Sequence, residues 1–298
     1  MKKFRYLFLF IIFCMPGWLL SKPSEVQVGI HLLDVTKFDL KEGTHKLDFY
    51  LVLRPNRTSY KDAIEFINGE TSLYDKLEDK PKSRVYRTKA EFKETVDFHW
   101  YPFMKHQLTL LLEDKHNDVE DTVFVASSED IYLDKRVSIP GWIVSRASAR
   151  SQTHYYPIFD ETFSQYVFSL HIAKTFLSSV LDDIMPSLLI VLSGLLPILI
   201  SPRYLAERIA ITVAALLSII LLHQTAKANL PALGYLTYLD KYSVVNYALL
   251  VAALGESIWV FKISNEQGRT LARVLDIRAG GFLLLGWILL QGIVVLTM

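Results

Sequence analysis

Along the first half of this chain apolar and polar residues alternate, and the second half is dominated by long apolar runs. Val26, Val28, Ile30 and Leu32 share one face of an extended segment, and Leu47, Phe49, Leu51 and Leu53 repeat the same period. A period of two is that of a strand with one buried face. The polar turn Asp39, Leu40, Lys41, Glu42, Gly43 between the two segments predicts an antiparallel hairpin. Residues 108–112, 123–126, 142–144 and 166–172 read as further strands. Short strands separated by turn signals over roughly 150 residues predict a β-sandwich. No convincing helical period precedes Phe176, although residues 60–67 fit a turn or two of helix.

Four runs with few or no charges follow, at 184–200, 209–226, 242–261 and 279–298. Each approaches the ~20 residues a helix needs to cross the hydrocarbon core. The predicted organisation is therefore a β-sandwich over 22–174 and a four-helix membrane domain over 175–298. Residues 1–21 read as a signal peptide, with Lys2, Lys3 and Arg5 ahead of an apolar run and cleavage near Ser21; an uncleaved anchor is the alternative. The single cysteine, Cys14, lies in that segment, so the mature chain would hold no disulfide and no cysteine metal site.

The composition agrees: 51% of 298 residues are hydrophobic, and the mean hydropathy is +0.25. A formal charge of +1 gives no reason to expect a nucleic-acid partner. Arg203, Arg208, Lys262, Arg269, Arg273 and Arg278 fall in or beside the first and third inter-helix loops, whereas the second has only Lys227 and Lys241. The positive-inside rule then places the polar domain outside, in a multi-pass protein of the cell's inner (plasma) membrane.

Candidate chemistry concentrates in residues 205–242. On a helix, Glu207, Ala210, Ala214, Leu217, Leu221 and Gln224 fall within an arc of roughly 100°. An acid, small residues, leucines and an amide in that order suit a water-lined pore, in which a charged ring selects ions and a leucine ring gates by dewetting. An ordinary membrane helix packing small residues on a neighbour is the alternative. An enzyme reading finds no nucleophile–base constellation, phosphate loop or metal motif of recognised spacing, and no cofactor is expected. A carrier would show inverted repeats or paired broken helices, and none is visible.

Several segments, in order, resemble the pentameric ligand-gated ion channels, specifically the bacterial relatives of the Cys-loop receptors. They are VGIHLLDVTKFDLKEGTHKLDFYLVL (28–53), AIEFINGE (63–70), VDFHWYPFMKHQL (96–108), PGW (140–142), Met185-Pro186 and NLPALGYLTYLD (229–240). The resemblance implies an extracellular antiparallel β-sandwich followed by a four-helix transmembrane bundle, assembled as a homopentamer in membrane lipid and conducting inorganic cations. It would be opened by an unknown small ligand, a proton or a divalent ion. A non-conducting membrane sensor or scaffold on the same fold is the rival.

The resemblance also implies three sets of site residues. Five copies of Glu207 would ring the inner mouth, with Ala210, Ala214, Leu217, Leu221 and Gln224 lining the path and Arg208 turned away from it; a simple interfacial pair of Glu207 with Arg208 or Arg203 is the alternative. Tyr155, Tyr156 and Phe159 of a capping loop, with Phe66 and Asn68, would bind the ligand. Asp39, Lys41, Tyr101, Pro102, Phe103, Lys174, Pro231 and Tyr235 would couple binding to opening. The acidic turn of Asp114, Asp118, Glu120 and Asp121 fits a solvated turn better than a divalent-cation site, since it lacks a calcium-loop spacing. Of the eight histidines, only His223 is placed to affect gating. Glu256 is an intramembrane acid and so a functional candidate, with reach to the inner interface or a pair with an arginine of a neighbouring helix as the alternatives.

The chain also departs from the family. Glu94 and Leu108 stand where eukaryotic members carry the loop cysteines, Met104 replaces an Asp, and Lys174 replaces an Arg. Residues 53–63 are shorter than in relatives and lack a tryptophan, with Arg54-Pro55 in its place.

Overall fold

Val28 lies opposite Leu53 and Ile30 opposite Leu51 in the hairpin of β1 (Ser24–Asp39) and β2 (Thr44–Pro55), the pairing expected from their alternation. The structure is a computed structural model and describes residues 22–297; the expected signal segment and Cys14 lie outside them. Seven more strands follow: β3 (Ile64–Phe66), β4 (Gly69–Lys80), β5 (Ser83–Lys93), β6 (Lys105–Asp114), β7 (Thr122–Leu133), β8 (Trp142–Tyr156) and β9 (Glu161–Lys174). They form two sheets, ordered β4-β5-β2-β1-β7 and β3-β6-β9-β8. Every pair is antiparallel except β1 with β7, which is parallel.

Between the sheets lies the core that the alternation predicts. Val26, Val28, Ile30, Leu32, Phe49, Leu51 and Leu53 from one sheet meet Leu108, Leu110, Leu112, Phe168 and Leu170 from the other. Each large side chain buried here contributes about 1.5–3 kcal/mol, and this packing alone must hold a domain without disulfides. Three strands, β3, β4 and β5, escaped the sequence reading. In β5 the inward positions include Arg84 and Thr88, which hide the period, and β4 is exposed along most of its length. Residues 60–67 contain β3 rather than helix, and Tyr60 is held there by donating to Asp114 Oδ2 at 2.9 Å.

Four helical spans complete the chain: α1 (Phe176–Leu199), α2 (Leu205–Ala228), α3 (Tyr238–Glu266) and α4 (Arg269–Leu296). Even the shorter ones, at 24 residues, extend about 36 Å at 1.5 Å per residue, enough to cross a core of about 30 Å. All four begin before the apolar runs that reveal them. α3 starts at a capping box in which Thr237 and Asp240 satisfy each other's backbone amides, and α4 starts with a charged turn. Close approach of α1 requires Gly194, since a Cβ there would stand 2.4 Å from Leu250 Cδ2 of α3. Inside the bundle, Asn246 Oδ1 of α3 accepts from Trp287 Nε1 and Gln291 Nε2 of α4 at 2.7 and 2.9 Å.

Candidate functional site

The two faces of α2 are chemically distinct. Arg208, Thr212, Ala215, Ile219 and His223 are buried against the other helices. Glu207, Ala210, Ala214, Leu217, Leu221 and Gln224 are all exposed on the opposite side. Ser218 and Thr225 flank this stripe, and their hydroxyls donate back to the carbonyls of Ala214 and Leu221. An ion pair between Glu207 and Arg208 does not form, because the Arg208 guanidinium turns inward to Glu256 and Asp276.

The capping loop joins β8 to β9, and Tyr155, Tyr156 and Phe159 divide there. The Tyr156 hydroxyl donates to Glu113 Oε2 at 3.1 Å, and its ring lies 6.3 Å from that of Phe159. Tyr155 instead donates to Asp160 at 2.8 Å, within the loop itself. Glu113 is buried and also accepts from Gln165 Nε2 at 2.6 Å. Burial and the neighbouring Glu113 push the Tyr156 hydroxyl up to about 12.

Phe66 does not reach this face. It is buried in the core, edge-on to Phe49 and Phe92. The strand period instead places Glu65, paired with Glu113, on the outer side. Asn68 spends its amide on the chain, donating to Thr109 O at 3.0 Å and accepting from Leu111 N at 2.9 Å. In the acidic turn, Asp114 accepts from the amides of His116 and Asn117, and Asp118 from those of Glu120 and Asp121. Glu113, Glu65 and Gln165 escaped the sequence reading; the only signal was their place at the ends of strands that the loop covers.

The junction between the domains is built from the residues assigned to coupling. Lys41 Nζ donates to the carbonyl of Ala228, the last residue of α2, at 3.2 Å. Asp39 caps the turn by accepting from Glu42 N. The carbonyls of His99 and Tyr101 accept from Tyr238 N and Leu239 N, so this loop satisfies amides at the start of α3. Tyr235 donates nothing to α3; its hydroxyl accepts from Phe98 N at 3.0 Å, and its ring stacks on His99 at 3.9 Å. Ser179 of α1 donates to Pro102 O, and Phe103 stacks on Phe176. Pro231 follows Leu230, which is buried with Phe98, Tyr101, Met104, Leu239 and Tyr242 in a shared cluster.

At two positions where the sequence departs from the channels it resembles, local contacts take over. With Met104 in that apolar cluster, Lys174 pairs instead with Asp183 of α1 at 3.1 Å, and its ammonium sits over the Tyr101 ring. Burial, then Asp183, push the Tyr101 hydroxyl up to about 12. Glu94 accepts from Thr109 N and Thr109 Oγ1 at 3.2 and 2.9 Å, so hydrogen bonds close the base of the 95–108 loop. Burial holds the Glu94 carboxyl above its usual range. At the outer end of α2, His223 contacts Asp240 at 2.9 Å and Tyr247 at 2.7 Å, and Lys227 reaches Asp240 as well.

No protein-family model matches the chain. A curated protein of Gloeobacter violaceus named "Proton-gated ion channel" is 23% identical over 267 residues, covering 81% of this chain and 74% of that protein. The match spans both the β-sandwich and the membrane helices by its extent.

Proposed function

We propose, from the premise that this chain is a relative of the bacterial pentameric ligand-gated ion channels, that it forms a homopentameric, cation-conducting channel opened from outside the cell. One observation carries the reading: the exposed stripe of α2 holds an acid and an amide, flanked by two hydroxyl residues, on a helix long and apolar enough to cross a membrane. The two hydroxyls are met by the helix's own carbonyls, but lipid offers Glu207 and Gln224 no partners, so the face belongs against water, and fivefold repetition would enclose a path. Glu207 then supplies the cation-concentrating ring, and Leu217 with Leu221 the dewetting constriction.

The relative is named as proton-gated, and a proton is one candidate stimulus here. The outer face of β6 favours a second, an organic cation: Glu113 and Glu65 lie beside the Tyr156 and Phe159 rings, and aromatic faces attract cations. Reconstitution into planar bilayers tests the whole reading, with current recorded across pH, calcium and a panel of amines, and reversal potentials taken in asymmetric salt. Cation-selective current that loses selectivity in Glu207→Gln is expected. Chloride preference in the parent overturns the cation assignment, and silence under every condition favours the non-conducting sensor.

A further inference from the structure

Arg208 is the largest fully buried side chain of the described residues, and it sits one residue after the acid of the exposed stripe. Its Nη1 and Nη2 donate to Asp276 Oδ2 and Oδ1 of α4 at 3.1 and 2.8 Å, a bidentate pair. Nη2 also donates to Glu256 Oε2 of α3 at 2.9 Å, and Nε to Ser257 Oγ at 3.3 Å. Asp276 is itself fully buried and accepts from Arg273 Nη1 at 3.1 Å, while that guanidinium donates to the carbonyl of Ile198 at the end of α1. Two arginines and two carboxylates thus join all four helices at the end of α2 that carries Glu207. Removing one partner from such a cluster leaves an uncompensated buried charge.

We propose that Asp276, on a helix away from the exposed stripe of α2, is a positioning residue for ion selection at Glu207. This rests on the pore reading above. Successive helix residues diverge by about 100°, so anchoring Arg208 inward sets the rotation of α2 that turns Glu207 outward. It also keeps a fixed positive charge off the path that Glu207 makes attractive to cations. Asp276→Asn should weaken the anchor, and assembled channels should show a severalfold lower cation-to-chloride permeability ratio. Asp276→Glu, which keeps the charge, should retain most of the parent ratio. Adding Arg208→Gln to Asp276→Asn should restore part of the cation preference, since the misplaced positive charge is then gone while the rotational anchor of α2 is not recovered. A purely structural role would lower the yield of pentamers but leave the ratio of those formed unchanged. If Glu207→Gln abolishes selectivity while Asp276→Asn keeps the parent ratio, the positioning role is overturned and the pore reading stands. If Glu207→Gln leaves selectivity unchanged, the filter at Glu207 fails and the positioning role with it. Should Asp276→Asn not assemble, Glu256→Gln with the same permeability measurement decides, because it removes a second Arg208 partner and should shift the ratio the same way.

Discussion

Lys41 of the β1–β2 turn donates to the carbonyl of Ala228, so the sandwich touches the last residue of α2 directly. Ala228 ends the helix whose other end carries Glu207. The turn thus meets the candidate pore helix through one hydrogen bond as well as through the packed loop cluster. Lys41→Met keeps the apolar stem and removes the donor. It should require severalfold more stimulus for half-maximal current while leaving the reversal potential unchanged. Concentration–response recording checks this; an unchanged midpoint would rule the Lys41 bond out of the coupling and leave it to the other contacts of the junction.

Leu217 and Leu221 are both exposed on the stripe, with Ser218 between them. Leu217→Ser should wet the constriction and produce channels that leak without stimulus. Resting current per assembled pentamer is the measurement, and a mutant as silent as the parent would move the gate elsewhere.

Ring and hydroxyl can be separated at Tyr156. If an organic cation is the stimulus, Tyr156→Ala should weaken its apparent affinity by about tenfold, the loss expected when a desolvated aromatic face worth about 1–2 kcal/mol is removed. Tyr156→Phe should cost much less, because the hydroxyl is already engaged by Glu113. Equal losses in both variants would show that the ligand replaces that hydrogen bond rather than resting on the ring.

His45 stacks on Phe92 near the base of the sandwich, and burial lowers its pKa from 6.5 to about 4. The folded pKa lies below the unfolded one, so as pH falls through about 6.5 the unfolded chain binds the proton first. Stability should decline between about pH 6.5 and 4, by an amount on the order of 3 kcal/mol, and this contribution should level off at lower pH. His45→Phe, which keeps a ring on Phe92, should flatten that part of the profile. Thermal unfolding of the solubilised protein between neutral and pH 4 checks it.

Much of this architecture is local and therefore legible in the sequence. A period of two specifies which face of β1 and β2 is buried, and uninterrupted apolar runs specify helices that cross a bilayer. The arc of Glu207, Ala210, Ala214, Leu217, Leu221 and Gln224 follows from helix geometry alone, and the structure leaves all six on one exposed face. What each element packs against is a different matter, since it depends on residues distant along the chain. Nothing near Phe66 says that it points into the core while Glu65 faces the capping loop; that follows from the pairing of β3 with β6. The parallel pairing of β1 with β7, the Lys174–Asp183 bridge and the clasp of Glu94 on Thr109 are equally non-local. Sequence alone places Arg208 one step round the helix from Glu207. Only the tertiary structure supplies Glu256 and Asp276, because a buried guanidinium must find its counter-charges wherever the other helices bring them.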